Sequence, residues 1–102
     1  MTQVIEEKRS EIENLCRKYR VQRLDVFGSA AHDRQDPERS DFDFVVEFLP
    51  LEAGEYAETY FGVLDGLNVL FDGRVDLVIG SAIKNRFFLE EVEETRVLLF
   101  AA

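Results

Sequence analysis

The segment Gly28-Ser29-Ala30-Ala31-His32-Asp33-Arg34-Gln35-Asp36-Pro37-Glu38-Arg39-Ser40-Asp41-Phe42-Asp43 lies between two runs in which apolar and polar residues alternate. In the run before it, Val21 to Phe27 sets Leu24 and Val26 against Arg23, Asp25 and Phe27, the period of a strand, and stops at Gly28. In the run after it, Asp41 to Phe48 resumes that period, with Phe42, Phe44, Val46 and Phe48 on one face and Asp41 and Asp43 on the other. Pro37 excludes a central strand in the polar middle. The segment therefore reads as a loop between two strands, with a Gly-Ser turn at one end and two carboxylates at the other.

Working outward, Gln3 to Tyr19 places Val4, Ile5, Ile12, Leu15, Cys16 and Tyr19 near one helical stripe and charged residues elsewhere, the pattern of an amphipathic opening helix. Glu55 to Phe71 returns to helical spacing, with Tyr56, Tyr60, Val63, Leu64, Leu67, Leu70 and Phe71 on one side and Phe61 and Val69 off it. Gly66 weakens that helix by ~1 kcal/mol relative to Ala. Arg74 to Ile79 is a short strand, Gly80-Ser81 caps a helix from about Ala82 to Glu94, and Arg96 to Phe100 is a final strand.

The expected order is α-β-loop-β-α-β-α-β in a single domain, residues 1–102. This is an α/β (α+β) fold with a small mixed β-sheet and helices mainly on one face, since two full helix layers need more chain. The other sheet face is expected to be open.

Nine Phe and three Tyr within 46% hydrophobic residues supply a core, and 32% charged residues keep the surface polar. Twenty-one acids against twelve bases give a net charge of −9, which disfavours direct nucleic-acid binding. Cys16 is the only cysteine, so an intrachain disulfide and a multi-cysteine zinc site are excluded. No apolar run approaches the ~20 residues of a membrane span, and residues 1–9 lack an apolar leader core. A cytoplasmic protein with no membrane role is the expectation.

Asp41 and Asp43, two apart on a strand, project from one face about 7 Å apart along the chain. Asp76 interrupts an apolar strand whose Val75, Leu77 and Ile79 face the helices, so it points with the acidic pair if the strands are neighbours. Unpaired like charges cost each other ~1 kcal/mol in water and ~4 at an intermediate dielectric when about 4 Å apart. Three converging carboxylates make sense with a hard cation such as Mg²⁺ or Mn²⁺. Gly28-Ser29 after a strand offers backbone N–H groups and a hydroxyl to an anion, with a short helix behind them.

Together, Val26-Phe27-Gly28-Ser29, Ser40-Asp41-Phe42-Asp43-Phe44-Val45-Val46 and Arg74-Val75-Asp76-Leu77-Val78 resemble the minimal nucleotidyltransferases of the DNA polymerase β superfamily, whose short prokaryotic members act as MNT-type antitoxins. The resemblance spans nearly the whole chain and implies the polymerase-β-like nucleotidyltransferase fold. It further implies ATP as substrate, two divalent ions held by Asp41, Asp43 and Asp76, and terminal phosphates gripped by Gly28 and Ser29. The acceptor it implies is a tyrosine of a helical HEPN-type toxin, bound in a hetero-oligomer and silenced by transfer of AMP. Two departures stand out: eleven residues separate Ser29 from Asp41, one more than is usual, and His32-Asp33 replaces a common Arg-Gly.

Two other readings remain open from the residues. One is a non-catalytic antitoxin that neutralises its partner by docking alone; for a partner surface in either antitoxin reading, Phe61, Val69, Phe87 and Phe88 are candidates, against ordinary burial in the core. The other is a Mn²⁺-dependent glycosyl transferase using Asp41 and Asp43, against which the short chain, the Gly-Ser element and Asp76 all count.

Overall fold

The computed structural model describes residues 2–32 and 41–102. The expected loop between the first two strands, including Asp33 and Pro37, lies outside the described residues from position 33 to 40.

Four strands form one mixed sheet: β1 (Val21–Phe27), β2 (Phe42–Phe48), β3 (Val75–Ile79) and β4 (Val97–Ala101), in the order β3-β2-β1-β4. β1 runs antiparallel to both β2 and β4, while β2 and β3 are parallel. A parallel pair needs a long crossover, and α3 (Tyr56–Leu70) supplies it. The opening helix is divided at Lys8 into α1 (Gln3–Glu7) and α2 (Arg9–Lys18). The Lys8 N–H donates to both the Val4 and Ile5 carbonyls, a shallow break that leaves Ile5 and Ile12 fully buried on the same side.

The period-two reading of the strands holds. Leu24 and Val26 of β1, Phe42, Phe44 and Val46 of β2, and Leu77 of β3 pack against Ile5, Ile12, Cys16, Val63, Leu67 and Phe71 in the main core. Phe44 is fully buried, and truncation to Ala would cost about 3–5 kcal/mol. Gly66 does not interrupt α3: a Cβ there would overlap the Leu15 side chain of α2, so its intrinsic cost is offset by close helix packing.

The second sheet face is less open than expected. α4 (Arg86–Thr95) crosses to it, and Val92 and Phe88 pack on Phe27, Val45 and Val78. Three helices thus cover one face and α4 covers part of the other. The helix also starts later than the Gly80-Ser81 signal indicates. Gly80–Ala82 forms its own 3-10 turn, and the Asn85 Oδ1 caps α4 by accepting from the Phe87 and Phe88 N–H groups at 2.9 and 3.1 Å. Among the described residues no helix is long and apolar enough to cross a membrane.

Candidate functional site

β1 ends at Phe27, which pairs with Asp43 of β2, and Asp43 in turn pairs in register with Asp76 of β3. Because β2 and β3 are parallel and in register, the two aspartates share a face, the one that α4 only partly covers. Their carboxyls lie close enough for Asp76 to act on Asp43. Burial, then Asp76, then Asp41 push the Asp43 carboxyl up to about 6. Without a cation, burial and the neighbouring carboxylates favour the protonated form of Asp43.

Asp41 lies just before β2, exposed, near enough to raise the Asp43 pKa. Among the described residues no three His, Cys, Asp or Glu side chains are grouped closely enough to cage a metal. The structure therefore brings Asp43 and Asp76 together, with Asp41 at the rim.

The chain turns at Gly28 into a 3-10 turn, Gly28–His32, which is the short helix expected after the first strand. Gly28 has φ 72°, and a Cβ there would stand 3.1 Å from Asp43 Oδ2. Both the left-handed backbone and the closeness of the carboxylate require glycine. The Gly28 N–H, offered by the sequence as an anion donor, instead donates to Thr95 Oγ1 at 2.9 Å. His32 is likewise engaged, its Nε2 donating to the Thr95 carbonyl at 3.0 Å rather than pointing at a phosphate. Ser29 is half-buried beside them.

A cavity of about 380 Å³ opens next to the acidic pair, lined by Phe27, Asp43, Tyr60, Asp76, Phe88 and Glu91 among others. Phe27 and Phe88 meet edge to face at 5.8 Å. The Tyr60 hydroxyl donates to the Leu77 carbonyl at 2.6 Å, and burial, then Asp76, raise its pKa.

Behind the turn, fully buried Asp25 accepts from Arg23 Nε and a second guanidinium nitrogen at 2.8 and 2.9 Å, and from Arg96 Nε at 2.6 Å. Burial alone would raise the Asp25 carboxyl, but these two guanidiniums outweigh it and hold it below its usual value.

Sequence reading missed Thr95, Glu91 and the Asp25-Arg96 pair. Asp25 looked like one more residue of a polar strand face, and no local pattern joins it to a residue 71 positions later. Of the candidate contacts, Phe61, Val69 and Phe87 are exposed at 55, 81 and 79%, whereas Phe88 is half-buried against Phe27.

The family model described as "Nucleotidyltransferase domain" matches residues 9–99. A protein of Methanocaldococcus jannaschii named "Putative protein adenylyltransferase" is 39% identical over 93 residues, covering 83% of this chain and 91% of that protein. A solved structure described as "Structure of putative minimal nucleotidyltransferase" is 27% identical, with a TM-score of 0.72 over 91% of this chain and 90% of the other. A chain of the complex of tri-AMPylated Shewanella oneidensis HEPN toxin with MNT antitoxin gives a TM-score of 0.65 at 19% identity, over 95% of this chain and 72% of that one, a likeness of fold.

Proposed function

The chain belongs to the nucleotidyltransferase domain family, and from that premise we propose that it transfers AMP from ATP to a tyrosine hydroxyl of a HEPN-type toxin, as the antitoxin of the pair. The observation that carries the reading is the in-register pairing of Asp43 with Asp76 beside the Gly28–His32 turn. The relative named for protein adenylyl transfer and the fold likeness to a complex of AMPylated toxin and antitoxin support the nucleotide and the acceptor.

The donor set suits divalent cations. Two carboxylates paired in register, one of them pushed up to about 6 by burial and by its neighbours, gain from a neutralising cation. Mg²⁺ is commonly held by one or two carboxylates plus substrate phosphates, so a full protein cage is unnecessary. Asp43, Asp76 and Asp41 would hold two Mg²⁺ or Mn²⁺ ions, which when bound neutralise the triphosphate and activate the acceptor hydroxyl.

The chain's own part is positioning. Ser29 offers a hydroxyl to the terminal phosphates, and the Gly28 turn lets them approach the acidic pair. Phe27, Tyr60 and Phe88 wall the cavity beside that pair and give a flat acceptor side chain an approach. The acceptor oxygen bonds to the α-phosphorus as the bond to the pyrophosphate oxygen breaks, in line. Exposed Phe61, Val69 and Phe87 supply apolar surface for a hetero-oligomeric contact with the toxin.

The test is mass spectrometry of the partner co-expressed with wild type or with Asp43→Asn. A gain of one or more AMP units with wild type alone supports transfer. An unmodified partner that is still neutralised by Asp43→Asn makes docking the essential act.

A further inference from the structure

We infer that Thr95, the last residue of α4, is a positioning residue for nucleotide: it holds the Gly28–His32 turn against the acidic pair. This inference rests on the nucleotide reading above. Three hydrogen bonds converge on Thr95. Its Oγ1 accepts from the Gly28 N–H at 2.9 Å and donates to the Glu91 carbonyl at 2.8 Å. Its carbonyl accepts from His32 Nε2 at 3.0 Å. The turn is thus fastened at its first and last residues to one side chain and one peptide group of the same residue.

That fastening has its own anchor. Arg96, the next residue, reaches Asp25 at 2.6 Å, and Asp25 is fully buried in β1 three residues before the turn. Arg96 also donates to Glu93 at 2.8 Å, which ties the guanidinium back to α4. The end of α4 is therefore fixed to β1 by a buried ion pair and to the turn by hydrogen bonds.

The geometry explains why threonine is needed. A partly buried N–H without an acceptor is costly, and Thr95 Oγ1 supplies one for Gly28. The Thr95 hydroxyl is suited to relay, since it accepts from Gly28 while giving its own proton to the helix carbonyl one turn back. With Gly28 directed there, its α-carbon faces Asp43, and Ser29 follows half-buried beside it. Valine has the shape of threonine and none of this capacity; serine keeps the hydroxyl.

The experiment compares wild type, Thr95→Val and Thr95→Ser by Gly28 amide hydrogen exchange in NMR, by binding of AMP-PNP with Mg²⁺, and by melting temperature. Thr95→Val is expected to lose protection at Gly28 and to bind AMP-PNP about tenfold more weakly, the worth of a lost hydrogen bond. In turnover this is a rise in KM for ATP with little change in kcat. Thr95→Ser is expected to restore both protection and affinity. If Thr95→Val loses Gly28 protection yet binds AMP-PNP as wild type does, the positioning role is overturned while the transferase reading stands. The role is also overturned if Thr95→Ser binds as weakly as Thr95→Val. If wild type itself binds no nucleotide, the functional reading is overturned, and the positioning role with it.

Discussion

The tripeptide Gly-Ser-Ala occurs twice, at 28–30 after β1 and at 80–82 after β3, and each copy opens a 3-10 turn. The turns are alike locally and lie at opposite ends of β2. Phe27, just before the first, pairs with Asp43 at the start of β2, whereas Ile79, just before the second, pairs with Val46 near its end. β1 is antiparallel to β2 and β3 is parallel to it, so strand direction alone separates them. The first glycine needs a left-handed backbone and the second does not. The first faces the paired aspartates and is tethered by Thr95, while the second has the Glu47 and Val45 side chains over it. A Gly-Ser turn takes its chemistry from the strand end it sits beside.

The strongest way to break this comparison is to remove the carboxylate at each turn. Asp43→Asn is expected to reduce AMP transfer to the partner by about a thousandfold or more, the scale of losing metal-held charge stabilisation. Glu47→Gln at the other turn is expected to leave transfer within about twofold. Partner mass spectra under matched expression check both. The same pair can be compared by melting: Mg²⁺ at about 100 times its Kd is expected to stabilise wild type by ~2.7 kcal/mol, and Asp43→Asn to lose that response while Glu47→Gln keeps it.

Next come the glycines. Gly28→Ala forces a side chain into left-handed backbone, about 1–2 kcal/mol, and sets its Cβ 3.1 Å from Asp43 Oδ2. A loss of about thirtyfold in kcat/KM is expected. Gly80→Ala displaces the end of a flexible Glu47 side chain, so stability falls slightly and kcat/KM is unchanged. Smaller still, Ser29→Ala is expected to raise KM for ATP about fivefold through one lost hydrogen bond, and Ser81→Ala to do nothing.

A separate readout of the acidic pair is pH in the absence of metal. Asp43 titrates at about 6 in the folded chain, above the ~4 of an unfolded aspartate. The native state therefore binds the extra proton between those values, and its stability falls as pH rises from about 4 to about 6, with the full cost present above 6. Urea midpoints across that range are expected to decline for wild type and to decline less for Asp43→Asn. Asp25 has the opposite sign, since its folded pKa is lowered: its contribution is present above the usual aspartate range and is lost as pH falls through the folded value. A wild-type midpoint that does not change from pH 4 to 6 would sink this account of the acidic pair.

What the sequence disclosed follows from how far each interaction reaches. β1 was legible to the residue, because its alternation is local and Gly28 stops it. The convergence of Asp43 and Asp76 was also legible, since each sits opposite an apolar row that must face the helices, and a parallel register then makes them neighbours. The start of α4 was not, because Ser81 and Asn85 are both good caps and the choice fell to a 3-10 turn between them. Asp25 could not be read as buried, since its partner Arg96 lies 71 positions away and no periodicity encodes an ion pair across that distance. Thr95 was hidden for the same reason, 67 positions from the amide it holds. Within the candidate site, the residues proposed to carry the chemistry have a local signature, and the residues that steady them have none.

The place of β4 at the sheet edge beside β1 also makes the turn depend on the longest-range strand pairing among the described residues. β1, β2 and β3 pair with one another without β4, so they can associate before β4 docks. Until then β1 is an edge strand, Asp25 has Arg23 but lacks Arg96, and the Gly28 amide has no threonine to meet. Of the strand pairings, that of β1 with β4 closes the longest stretch of chain and carries the largest loop-closure entropy. The turn beside the carboxylates therefore gains its Thr95 tether only when the segment leading into β4 docks beside β1.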